Sequence, residues 1–166
     1  MTVKSTKAIR YVFLSIWVLW TIMILAFSLT NGTVSTDQSN FVSEIIVRVL
    51  NVFGVTLSTG NLNELHVWVR KLIGHFGLFA IDGFLSLLTF NSFFKQKPLK
   101  QGLWVMLAGL IIAALSEVAQ LFTPDRAGLL ADALIDLLGI AFGVLFTMGI
   151  IQWWIERPMK HEKSIR

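Results

Sequence analysis

Hydrophobic positions in this chain come in blocks, and four blocks are long enough to cross a hydrocarbon layer. They run from about Tyr11 to Leu29, Lys71 to Phe93, Leu103 to Phe122 and Leu129 to Trp154, each near the roughly 20 residues that a helical span requires. None alternates with period two as a membrane barrel strand would, so helix is the spanning form left. The pattern predicts an all-α fold: an integral membrane bundle of four transmembrane helices forming one domain over residues 1–166. Between the first two blocks Phe41, Ile45, Val49 and Val52 recur at helical spacing, behind Asp37 or Ser39 as N-cap. This predicts an outer amphipathic segment that lies on the membrane surface or folds back over the bundle. "TLSTGNLN" then reads as a loop, with Asn61 or Asn63 capping the approach to the second span.

Composition agrees with the pattern. Charged residues are 14% of the chain, where soluble domains average about 25%. With no cysteine, disulfides, thiol nucleophiles and thiolate metal sites are excluded. The basic balance does not indicate nucleic acid, because Lys and Arg sit at block ends and form no patch with interleaved aromatics. The first block has a basic start and a loose Ala26-Phe27-Ser28 cleavage pattern, but its apolar run exceeds that of a signal peptide. A retained first helix is expected.

The basic residues also orient the chain. Of the 14 Lys and Arg, ten fall on one side, at Lys4, Lys7, Arg10, Lys95, Lys97, Lys100, Arg157, Lys160, Lys163 and Arg166. Arg48, Arg70, Lys71 and Arg126 fall on the other. The positive-inside rule predicts a multi-pass cell-membrane protein with both termini cytoplasmic, Trp153 and Trp154 at the inner interface and Trp68 at the outer one.

That topology gives the scattered polar residues a common depth. Lys71 and His75 share a face of the second span, Glu117 and Gln120 a face of the third, and Asp132 and Asp136 a face of the fourth. At about 1.5 Å of rise per residue, His75, Glu117 and Asp136 lie roughly 6–12 Å from the outer boundary. Arg126 sits in the short connection above them. Carboxylates facing lipid are costly, about 2.5–3.5 kcal/mol each on insertion scales at mid-span and less near the interface. They are expected to face inward around a small wet cavity, paired with Arg126, Arg70, Lys71 and His75. Each residue has a plainer reading too: His75, Glu117 and Gln120 as interhelical hydrogen bonds, Asp132 as a first-turn acid, Asp125 as part of a "TPDR" turn. Their concurrence in one layer favours a site. Asp82 reads as a buried polar contact near mid-membrane, the alternative being the cavity floor. Gly139 and Gly143 form a G-x-x-x-G that lets the second or third helix approach the acid-bearing face.

"RKLIGHFGLF" followed by "SEVAQLFTPDRAGLLADALIDLLG" resembles the VanZ-like family of bacterial membrane proteins, whose pattern is approximately R-K-x-x-H-F, S-E-x-x-Q-x-F-x-P-x-R and D-x-x-x-D/N-x-x-G. Arg70, Lys71, His75, Phe76, Ser116, Glu117, Gln120, Phe122, Pro124, Arg126, Asp132, Asp136 and Gly139 match it. "FSLTNGTVS" is similar to the family's Ser-rich segment after the first span. The chain departs where many members carry a Glu shortly after His-Phe, having Gly77-Leu78-Phe79 instead. The resemblance implies a cell-envelope role associated with low-level resistance to the glycopeptide teicoplanin, and it specifies no reaction.

Two functions compete. In the first, the polar pocket binds a lipid headgroup or lipid-linked cell-wall precursor, held by Arg70, Lys71, Gln120, Arg126 and Asp132. In the second, an intramembrane hydrolase or transferase acts on such a lipid, with His75, Glu117 and Asp136 as acid/base groups or ligands and the arginines clamping phosphate. Neither a metal nor a cofactor is specified by any motif. A small transporter finds little support, because no internal repeat or broken-helix pair is visible.

Overall fold

A computed structural model describes residues 7–94 and 97–163, with side chains through 153. Among these residues every regular element is helical: α1 (Lys7–Ser28), α2 (Gly32–Val52), α3 (Thr59–Val69), a π-helical stretch at Arg70–Gly77, α4 (Leu78–Phe93), α5 (Pro98–Leu121) and α6 (Leu130–Lys163). Four helices are long and apolar enough to cross a membrane, as the blocks predict. Their outward faces carry Leu19, Leu103, Leu107, Leu138 and Leu145, all exposed. A span in lipid presents such a surface, because lipid tails are as apolar as leucine.

The second crossing departs from its expected bounds. It is one continuous 35-residue helix over Thr59–Phe93, starting well before Lys71. Ser58 caps it by accepting the Asn61 N–H at 3.3 Å, so Asn61 supplies the donor and neither Asn61 nor Asn63 is the cap. The third helix likewise starts at Pro98, where a proline lacking an N–H costs nothing in the first turn.

α2 also differs from its forecast. It begins at Gly32 behind Asn31, ahead of both Asp37 and Ser39. Its buried face is Ser35, Ser39 and Ser43, while Phe41, Ile45, Val49 and Val52 are exposed. The apolar stripe points away from the protein, the arrangement suited to an element whose surroundings are hydrocarbon. Small serines on the inward face allow a close fit.

α4 packs most extensively on α6, and α1 and α5 complete the bundle. Ile24, Phe79, Leu87, Val105, Ala113, Ile140 and Val144 form the core. The G-x-x-x-G resolves in favour of the second crossing: a Cβ on Gly139 would strike the Phe76 carbonyl, and one on Gly143 the Ala80 carbonyl. This contact of backbone on backbone draws the acid-bearing turn of α6 against His75. Within the described residues, the basic positions used for orientation include Lys7, Arg10, Lys97 and Lys100. Lys4, Lys95 and Arg166 lie outside them, as do the side chains of Trp154, Arg157, Lys160 and Lys163.

Candidate functional site

Three crossings and one loop converge at a single end of the bundle. His75 comes from the π-helical stretch, Glu117 from the last turns of α5, and Asp132 and Asp136 from the first two turns of α6. All four are buried, Asp136 at 0% exposure. His75 Nδ1 lies 3.0 Å from Asp136 Oδ1 in a hydrogen bond and 4.0 Å from Glu117 Oε1. Its Nε2 faces Asp132 Oδ2 at 3.7 Å, and Lys71 Nζ faces Asp132 Oδ1 at 3.7 Å. One imidazole thus touches three carboxylates contributed by two other helices.

The local structure explains the convergence. The π-helical stretch closes a wider turn than an α-helix, a feature found frequently at functional sites. Lys71 and His75 leave it on one face and reach the same aspartate. Glu117 is fixed by its other oxygen, Oε2, which accepts the Leu129 N–H at 2.7 Å. That donor opens α6, where unpaired N–H groups and the helix dipole favour an anion.

Above this layer lies a cavity of about 530 Å³, walled by the start of α2 and the 125–129 loop and lined by Ser35, Arg70, His75, Gln120, Arg126 and Asp132, among others. Gln120, 6% exposed, is among its lining residues. Arg126 does not neutralise Glu117 or Asp136 through an ion pair, the role expected from its loop position. Its Nη1 donates to the carbonyls of Phe27 (3.0 Å) and Ser28 (3.4 Å), and its Nη2 to Ser35 Oγ (2.6 Å). The frayed carbonyls at the end of α1 are strong acceptors that a loop arginine reaches without burying its full charge. Burial, then the neighbouring Arg70 charge, push the Arg126 guanidinium below its ordinary value, though an arginine stays protonated. Arg70 is exposed at the cavity and makes no hydrogen bond or ion pair among the described residues.

Ser35 and the Ser28–Ser116 hydroxyl pair, 2.7 Å apart, join the site as supports. Ser116 belongs to the quoted motif, and Ser35 to an i, i+4 serine stripe visible in the sequence. Asp125 takes a left-handed turn at φ 58°, as its "TPDR" context suggests. Leu78, at the position of the missing Glu, lines a small pocket of about 80 Å³ beside His75 and accepts the Trp20 indole N–H on its carbonyl at 3.0 Å. Asp82 lies apart from the cluster, held by Trp17 Nε1 at 3.1 Å and Thr21 Oγ1 at 3.0 Å.

Four apolar crossings around a buried acid–imidazole layer define a small multi-pass helical membrane protein with a polar site at one end of its bundle. A family model described as VanZ/LLP1 matches residues 13–152, and the chain belongs to that family. No curated protein and no solved structure matches it.

Proposed function

We propose that the cavity opens on the outer side of the cell membrane and binds a phosphate-bearing lipid headgroup or lipid-linked cell-wall precursor, the basis of a glycopeptide-resistance role of the teicoplanin type. The observation that carries this reading is that Arg70 and Arg126 both line a cavity of about 530 Å³ that reaches His75 and Asp132. A guanidinium presents planar paired donors that match phosphate oxygens, and Arg70 has those donors uncommitted. The acid layer below would repel an anion that penetrates too far, which supports recognition of a headgroup at the rim.

The direct test is the lipid that accompanies the full chain, purified in native-lipid particles. Phosphate-bearing polyprenyl or headgroup lipids should be enriched over the bulk membrane, and Arg70→Gln should reduce that enrichment at least tenfold. A lipid complement identical to bulk in both preparations sinks the proposal. Orientation is tested by cysteine labelling: Thr59→Cys should react with an impermeant thiol reagent on intact cells, and Lys97→Cys should not. Gln101 is a poor reporter, since it is buried and donates to the Phe94 carbonyl at 2.7 Å.

The His75–Asp136 hydrogen bond favours a second reading, an intramembrane hydrolase or transferase with Glu117, His75 and Asp136 as acid/base groups. A carboxylate-oriented imidazole is a common proton-transfer pair. A new headgroup or truncated lipid in cells carrying the protein, absent with His75→Gln, distinguishes catalysis from binding.

A further inference from the structure

We infer that His75, Glu117 and Asp136 form a binding site for a divalent transition-metal ion. Each of the three offers one ligand atom, and these atoms lie within 4.8 Å of one another. The separations from His75 Nδ1, 3.0 Å to Asp136 Oδ1 and 4.0 Å to Glu117 Oε1, bracket the roughly 3–3.5 Å between ligand atoms that share one ion at bonds of about 2.0–2.2 Å.

A second, independent observation marks the cluster as more than a hydrogen-bond network. Glu117 Oε1 and Asp136 Oδ2 are buried oxygens without a hydrogen-bond partner, on residues 8% and 0% exposed. The free oxygen of Glu117 is the one that faces His75, because Oε2 is taken by the Leu129 N–H. Buried polar atoms almost always have partners, and those that do not call for an ion or a functional reason.

The surroundings suit a cation. As a ligand, His75 is a neutral imidazole. The cluster then sets the carboxylates of Glu117, Asp132 and Asp136 against the single ammonium of Lys71. Among these contacting groups the excess is two negative charges, and the guanidinium of Arg126, acting on Glu117 and Asp132 from beyond ion-pair distance, lowers it without filling the space between the ligand atoms. An ion bound to Nδ1 and Asp136 Oδ1 takes the place of the hydrogen bond between these two atoms. The ring's other nitrogen, Nε2, faces Asp132 Oδ2 at 3.7 Å, and Asp132 faces Lys71, placing a carboxylate where metal-binding histidines commonly have an outer-shell partner. One imidazole with two carboxylates suits Mn²⁺ or Zn²⁺, whereas Mg²⁺ and Ca²⁺ prefer oxygen alone. This inference rests on the cluster and is independent of which lipid occupies the cavity above it.

The full chain, purified in detergent and stripped with a chelator, should bind about one Mn²⁺ when titrated and followed by electron paramagnetic resonance. Glu64→Gln, at an exposed position outside the cavity, should bind equally. Glu117→Gln and Asp136→Asn should lose at least tenfold in affinity, and Asp132→Asn should weaken binding 10–100-fold, the range typical of outer-shell partners. In case a variant fails to fold, the Mn²⁺-loaded wild type provides its own check: electron spin echo modulation should show a directly bound imidazole nitrogen, lost with His75→Gln. Substoichiometric binding of both Mn²⁺ and Zn²⁺ by folded wild type overturns the site, as does an echo without that nitrogen. Undiminished binding by folded Glu117→Gln and Asp136→Asn also overturns it. Phosphate-lipid enrichment is measured on the same preparations, so a protein that binds metal without enriching lipid defeats the headgroup reading and leaves this one standing.

Discussion

Asp82 and Asp136 are both carboxylates in the interior of the bundle, at 1% and 0% exposure, yet they are treated differently. Asp82 receives an indole N–H and a threonine hydroxyl from α1, and among the described residues it has no ionisable partner. It pins the first crossing to the second at mid-bundle. Asp136 shares one imidazole with Glu117 and Asp132, and each of these three acids keeps a buried oxygen without a hydrogen-bond partner. A buried acid whose contacts are local hydrogen bonds is a fastening. A group of acids with capacity to spare is a place where something else binds.

That contrast breaks most readily at the cluster. Glu117→Gln, His75→Gln and Asp136→Asn preserve volume and most hydrogen bonding, so each should purify as a folded protein while losing at least tenfold in resistance. If all three retain full activity, the layer is interhelical glue and the contrast dissolves. Arg126→Gln comes next, since it loosens the end of α1 from α2; loss of charged hydrogen bonds of about 1.5–3 kcal/mol should lower the thermal midpoint in detergent as well as weaken lipid enrichment. Asp82→Asn should retain activity and shift stability by only about 1 kcal/mol, and an activity loss equal to that of Asp136→Asn would erase the distinction from the other side. The smallest effect belongs to Asp125→Asn, because asparagine tolerates the same left-handed backbone. Its activity and thermal midpoint should match wild type.

Much of this arrangement was legible in the sequence. The four spans follow from block length, and the polar layer from counting rise per residue toward one end. What escaped was governed by partners rather than by pattern. Nothing in "RKLIGHFG" distinguishes a π turn from an α turn, since the choice depends on how the helix packs on α6. Arg126 was expected to seek the nearest carboxylate, whereas the unpaired carbonyls of α1, brought there by tertiary folding, are its acceptors. α2 was legible as an amphipathic helix, but not its cap or its packed face: the apolar stripe is turned away from the protein, and Ser35, Ser39 and Ser43 form the face that packs.

The wide turn at Arg70–Gly77 has a geometric consequence for the whole second crossing. On a regular α-helix each residue turns the face by about 100°, so the direction of His75 would follow rigidly from that of Asp82. The crossing answers to two angular demands: its middle docks Asp82 against α1, and its end aims an imidazole at α5 and α6. A stretch wound with a different pitch resets the phase between them, as a spliced joint lets two lengths of shaft keep separate keyways. The anchor and the aim of this helix are thereby brought to an angular offset that an unbroken α-helix would not give.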